Sequence, residues 1–156
     1  MLILDRWVDV DRFHPDKRVA GYWRGHGVRE SAVKYIYVGR IGVEKNLQLV
    51  AQAYRVLCET HDDVHLLLVG DGPFRKELET LLDGLPVTFT GFIEGEELTR
   101  ALASADVKLF PSTTDTWGNA PLEAQASGLP VIVSNVGGPC ELMVNDVTGF
   151  TVAGRD

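Results

Sequence analysis

From Val33 onward the chain alternates between short apolar runs and segments with helical periodicity, and this alternation admits few folds. The runs VKYIYVG, VHLLLVG, LPVTFTG, VKLFPS and PVIVSN are separated by NLQLVAQAYRVLCET, FRKELETLLDG, EGEELTRALASA and PLEAQASG. Strand and helix in strict succession predict parallel strands joined by right-handed helical crossovers. HLLLVG and PVIVS are almost continuously apolar, as strands must be when helices cover both faces of their sheet. In the longest helical segment Leu47, Val50, Tyr54 and Leu57 recur at three- and four-residue steps, while Glu44, Lys45, Gln48 and Arg55 fall elsewhere, so one face packs on a sheet. GFTV at 149–152 adds an edge strand. The expected fold is α/β: a doubly wound parallel sheet of about six strands with helices on both faces.

A chain of 156 residues, 45% apolar and 24% charged, suits one domain with a single substantial core. Residues 1–32, with Pro15, Gly21, Gly25, Gly27 and many charges, show no sustained period and are expected to form an extended lead-in rather than a core element. The folding unit is expected over 33–156. A net charge of −7 argues against nucleic acid or an anionic membrane surface as the main partner, so any phosphate site must be local. Cys58 and Cys140 have neither CxxC spacing nor the density of a disulfide scaffold, which favours a reducing, cytoplasmic setting. MLILDRWVDVD lacks the residue order of a signal peptide, and no apolar run is long enough to cross a bilayer. His14, His26, His61 and His65 form no ligand set, and no metal site is expected.

In open α/β sheets ligands bind at the carboxyl ends of the strands. Five loops there carry candidate chemistry: Gly39-Arg40 with Lys45, Gly70-Asp71-Gly72-Pro73, Gly91-Phe92-Ile93, the segment DTWGNAPLE from Asp115 to Glu123, and Gly137-Gly138-Pro139. Pro121 suits the first turn of a helix starting at Ala120 or Pro121, which puts Glu123 in that turn and Asp115 in the preceding loop. Both carboxylates then flank one strand-to-helix crevice. Bland roles compete: Glu123 as a capping residue reaching back to the cap N–H, Asp115 as a turn former. Arg40 and Lys45 can converge on one anion, as suits a diphosphate, or stand as solvated surface cations. GDGP is most simply a tight turn feeding a helix. No GxGxxG follows the first strand, and P-loop, G-x-S-x-G and Cys/His catalytic patterns are absent.

Taken in order, VGRIGVEKN, LLVGDGP, VTFTGFI, ADVKLFPS and DTWGNAPLEAQASGLPVIVSNVGGPCEL resemble the C-terminal, Rossmann-like domain of the family 4 (group 1) glycosyltransferases, enzymes of the two-domain GT-B fold. The resemblance covers nearly all of 33–152, and WVDVDRFHP is similar to the segment by which that family enters its second domain. It implies a nucleotide-diphospho-sugar donor, such as a UDP-sugar, and transfer of a hexose to a glycan or lipid acceptor with retention of configuration. Carried over by position, Arg40 and Lys45 hold the departing diphosphate, Asp115 bonds the donor sugar and Glu123 bonds the ribose hydroxyls. Main chain around Gly118, Asn119, Ala120 and Leu122 faces sugar and phosphates, and backbone near Phe92 and Ile93 meets the base. No cofactor or divalent metal is implied.

Two positions depart from the family pattern: Asp115 stands where Glu is more usual, and Thr116-Trp117 where Gly-Phe is common. The family's N-terminal acceptor domain and C-terminal helices are not represented, so the chain is expected to be one domain of a longer, cytoplasmic or membrane-peripheral enzyme and inactive in isolation. A non-catalytic nucleotide-sugar-binding module and a sugar-nucleotide epimerase of the same architecture are the alternatives. An α-glucan phosphorylase would need a pyridoxal-binding lysine, for which no lysine has the context.

Overall fold

The structure is a computed structural model and describes residues 7–115 and 118–153. Six strands form one parallel sheet in the order β3-β2-β1-β4-β5-β6: β1 Val33–Val38, β2 Val64–Val69, β3 Val87–Gly91, β4 Val107–Phe110, β5 Val131–Ser134 and β6 Gly149–Val152. Four α-helices cross between them: α1 Leu47–Cys58, α2 Arg75–Leu81, α3 Gly95–Ala103 and α4 Ala120–Ala126. Strands of alternating membership on the two sides of β1 make the β1–β4 gap the point where strand order reverses. The sequence reading of a doubly wound sheet is thus realised, down to the edge strand at 149–152.

Two cores follow from the two faces. On one, Leu47, Ala51 and Tyr54 of α1 and Leu78 of α2 pack on Tyr37, Leu66 and Leu68. On the other, Ala101 and Leu102 of α3 and Ala124 of α4 pack on Ile36, Leu67, Val69, Val131 and Val133. Residues 66 to 69 are buried without a break, because a central parallel strand is covered on both sides.

The lead-in corrects the sequence reading. Among its described residues it forms no strand or α-helix, only short 3-10 turns at Pro15–Lys17 and Tyr22–His26. Even so, Phe13, Trp23 and Val28 are buried in the second core. Arg18 ties the segment down by donating to the carbonyls of Ala103 and Ala105 and pairing with Asp106 at 2.8 Å. Isolated aromatics in an aperiodic segment give no periodic signal, yet a single buried Trp removes a large apolar surface from water.

The GDGP turn has a packing role. A Cβ on Gly70 would lie 2.0 Å from the Gly39 carbonyl oxygen and one on Gly72 2.4 Å from that of Ile41, so only glycine lets the β1 and β2 loops approach this closely. Ile41 N–H donates to Asp71 O at 2.9 Å and Phe74 N–H to Ile41 O at 3.1 Å, fixing the loop that carries Arg40.

Candidate functional site

The loops after β1 and β4 leave the same end of the sheet at the strand-order reversal, and they carry Arg40, Lys45 and Asp115. After β1 the chain turns through Gly39-Arg40 into a 3-10 turn, Val43–Lys45. Asn46 takes a left-handed conformation, φ 56°, that ends this turn and redirects the chain into α1. Lys45 therefore sits on the turn that precedes the helix, not on the helix surface. Its Nζ reaches Asp115 Oδ1 at 2.8 Å and Oδ2 at 2.9 Å. Each side chain of this ion pair is about a quarter exposed, at 23% and 24%.

This contact gives Asp115 a partner 70 residues away in the chain, beyond any bond within its own turn. Burial would raise its carboxyl, but hydrogen bonds from Lys45 and Ser112 and the Lys45 charge outweigh that and hold it below the usual carboxylate range. The bond also joins two residues to which the sequence assigned separate ligand groups. Gly137 of the β5 loop closes the same corner: a Cβ there would meet the carbonyl oxygens of Asp115 at 3.3 Å and Thr113 at 3.4 Å. Its φ of 97° adds a second requirement for glycine.

Arg40 is exposed, and its side chain makes no hydrogen bond or ion pair among the described residues. Its carbonyl accepts from the Tyr37 hydroxyl at 2.8 Å, which anchors the backbone and leaves the guanidinium free.

Helix α4 starts at Ala120, with Asn119 as its cap and Pro121 in the first turn, as the sequence predicts. Glu123 is consequently the fourth helical residue, one too far for a capping box, and no side-chain cap hydrogen bond forms. Half-buried, its carboxylate accepts no hydrogen bond among the described residues. Burial raises its proton affinity, against the lowering charges of Lys108 and Arg12. An acceptor held at a crevice without a protein donor suits hydroxyl groups of a ligand.

Gly118, Asn119, Ala120 and Leu122 lie at the start of this helix. Gly118 leaves the approach open, since a Cβ there would find only the Phe110 ring, at 3.7 Å. Thr116 and Trp117, the departure from the family pattern, lie outside the described residues. Phe92 and Ile93 follow edge strand β3, separated from β1 by β2; Phe92 is 75% exposed, and Ile93 packs against the core. Among the described residues no three His, Cys, Asp or Glu side chains are grouped as metal ligands.

Sequence reasoning missed Lys108. It occupies β4 beside Ile36 of β1, is 1% exposed, and places Nζ 3.5 Å from Val38 O and 5.6 Å from the Tyr37 ring centroid. Burial drives its proton affinity down to about 7, while the Glu123 charge acts the other way. The signal was present: in VKLF a lysine interrupts a strand that must be covered on both faces.

The profile of the family described as "Glycosyl transferases group 1" matches residues 32–156. The chain belongs to the group 1 glycosyl transferases. It is 38% identical over 140 residues to the GDP-mannose-dependent alpha-(1-6)-phosphatidylinositol dimannoside mannosyltransferase of Mycobacterium tuberculosis, an alignment covering 89% of this chain and 36% of that protein. The chain thus spans about a third of that relative's length. Among solved structures, the C-terminal domain of a glycosyl transferase group 1 family protein from Francisella tularensis superposes with a TM-score of 0.82 at 25% identity, covering 94% of this chain and 80% of that one. Anabaena HepE in complex with UDP-glucose superposes with a TM-score of 0.80 at 25% identity, covering 94% and 42% respectively. The fold is the Rossmann-like one of GT-B glycosyltransferases. No helix among the described residues is long and apolar enough to cross a membrane.

Proposed function

We propose that this chain is the donor-binding domain of a glycosyltransferase that takes a hexose from a nucleotide-diphospho-sugar and transfers it, with retention, to a glycan or lipid acceptor. The observation that carries the reading is the disposition of charge at the β1–β4 end of the sheet: among the described residues the Glu123 carboxylate accepts no hydrogen bond and the Arg40 side chain has no partner, while the Lys45–Asp115 pair stands on the loops after β1 and β4. The mycobacterial relative named as GDP-mannose-dependent and the Anabaena protein solved with UDP-glucose support a nucleotide-sugar donor.

In this reading Glu123 accepts from the ribose hydroxyls, and Asp115, shorter than Glu, bonds the donor sugar while holding Lys45 in place. Arg40 and Lys45 stabilise the diphosphate as the glycosidic bond breaks. That bond cleaves through charge separation, which cations fixed beside the leaving oxygens favour without rearranging. Backbone N–H groups of Gly118, Asn119, Ala120 and Leu122 face the sugar and phosphates, and the Phe92-Ile93 segment meets the base. Two cations supply the charge that a divalent metal provides elsewhere, so transfer proceeds without one. Acceptor binding and closure over the donor belong to the longer, cytoplasmic or membrane-peripheral protein, because excluding water needs a second wall.

Calorimetric titration of the chain with UDP, GDP and ADP and their glucose or mannose conjugates, with and without magnesium, tests the reading. Saturable, metal-independent binding to one base, weakened by Glu123→Ala and by Arg40→Ala with the fold intact, is the expected result. Variants that bind as the parent does would overturn the site assignment.

A further inference from the structure

Tyr37 and Tyr54 are both buried in the same core, yet their hydroxyls do different things. Tyr54 Oη donates to Pro86 O at 2.7 Å and so staples α1 to the approach of β3, 32 residues away. Tyr37 Oη donates to Arg40 O at 2.8 Å, only three residues on. A bond over so short a span does little to hold strands and helices together, and phenylalanine would fill nearly the same space with no polar atom to satisfy. What the Tyr37 bond fixes is one peptide, the one between Arg40 and Ile41. That peptide is held from both sides, because its N–H donates to Asp71 O at 2.9 Å while its carbonyl accepts from Tyr37. The peptide entering the loop is fixed as well, Gly39 N–H donating to Val69 O at 3.0 Å. A Cβ on Gly39 would lie 3.0 Å from Tyr37 Oη, so glycine there leaves the hydroxyl its path to Arg40.

We propose that Tyr37 is a positioning residue of the donor site that acts through Arg40: by holding the Arg40–Ile41 peptide it sets the direction in which the guanidinium leaves the loop. The role given to Arg40 rests on the proposed function; the anchoring of its peptide does not. The exposed Arg40 side chain has no hydrogen bond or ion pair among the described residues, so its backbone alone aims it. A small turn at the base of so long a side chain swings its tip widely, and a forked contact to phosphate tolerates little of that. With the hydroxyl gone, the peptide keeps only the Asp71 bond on its N–H side and can rock about it. Lys45 needs no such device, because Asp115 orients its ammonium directly at 2.8 Å. The two cations of this loop are thus held in opposite ways, Lys45 at its tip and Arg40 at its root. Burial raises the proton affinity of the Tyr37 hydroxyl, as do the charges of Asp115 and Glu44, so it stays a protonated donor.

The test is Tyr37→Phe, with folding checked by cooperative melting. Amide hydrogen exchange followed by NMR, without ligand, reads the anchoring. The Ile41 N–H is expected to exchange about fivefold faster in the variant, measured relative to Leu67 and Leu68 of β2, which report global opening. An Ile41 amide that quickens no more than these two overturns the inference. The ligand side is read by calorimetric titration of the parent, Tyr37→Phe, Arg40→Ala and the double variant with UDP, GDP and ADP. Tyr37→Phe should weaken nucleotide binding about fivefold in the parent background and leave it unchanged in the Arg40→Ala background, because a misdirected guanidinium matters only while it is present. Equal weakening in both backgrounds, or none in the parent, would mean that Tyr37 only packs and would overturn its positioning role. Failure of every nucleotide to bind the parent, or undiminished binding by Arg40→Ala, would overturn the donor reading and the role of Arg40 with it, while the Ile41 exchange still decides whether Tyr37 holds the loop.

Discussion

Lys45 and Asp115 touch at 2.8 Å and 2.9 Å, whereas Lys108, buried in β4, and Glu123, half-buried in α4, form no ion pair among the described residues. The first couple is about a quarter exposed and stays charged, with the Asp115 carboxyl held low. In the second, burial pushes both members toward neutrality, Lys108 down to about 7 and Glu123 up. The difference lies in where the backbone puts the partners. The Asn46 turn brings Lys45 against Asp115 of the loop after β4, while Lys108 is held in a central strand and Glu123 in a helix. A touching pair ties two loops together.

The largest effect expected from breaking this contrast is on binding. Glu123→Ala should weaken nucleotide affinity by about 2 kcal/mol, roughly 30-fold, because a charge-assisted acceptor is lost, and calorimetry measures it directly. Its cooperative unfolding should remain.

Next comes Lys45→Ala. Removing the cation leaves Asp115 partly buried without its main donor, and thermal or urea unfolding should report a loss of about 1–2 kcal/mol, discounted for the solvent that reaches the pair. The pH dependence has a definite sign. Because the folded carboxyl titrates below its ordinary 3.8, its stabilisation is complete above that value and is lost as pH falls through the lowered one. Lys45→Ala and Asp115→Asn should both flatten that acid limb.

Lys108→Met should show the opposite behaviour, with stability at neutral pH unchanged or higher by about 1 kcal/mol. Lys108 is a base depressed from 10.5 to about 7, so between those values the unfolded chain binds the extra proton and parent stability rises with pH. That rise should vanish in the variant, as urea melts across the interval would show. The smallest effect is expected for Thr114→Ala, whose hydroxyl reaches Glu44 O only at 3.5 Å from an exposed loop; a melt within about 0.5 kcal/mol of the parent would confirm that the Lys45 contact, not its flank, joins the two loops.

Much of this was legible in the residues. Alternation of apolar runs with helical stripes points to a parallel α/β sheet, since helical crossovers between successive strands cover both of its faces. Pro121 marked the start of α4 to within one residue, and the ordered motifs around Arg40, Lys45, Asp115 and Glu123 carried the family. These are local properties: backbone conformation and side-chain period are set by neighbours in the chain. What the tertiary structure decided was pairing. That Lys45 pairs with Asp115, that Trp23 from an aperiodic lead-in fills the core, and that Lys108 is buried in β4 beside Ile36 each depend on groups far apart in sequence. The distance between two charges, and the water between them, exists only once strands β1 and β4 are side by side.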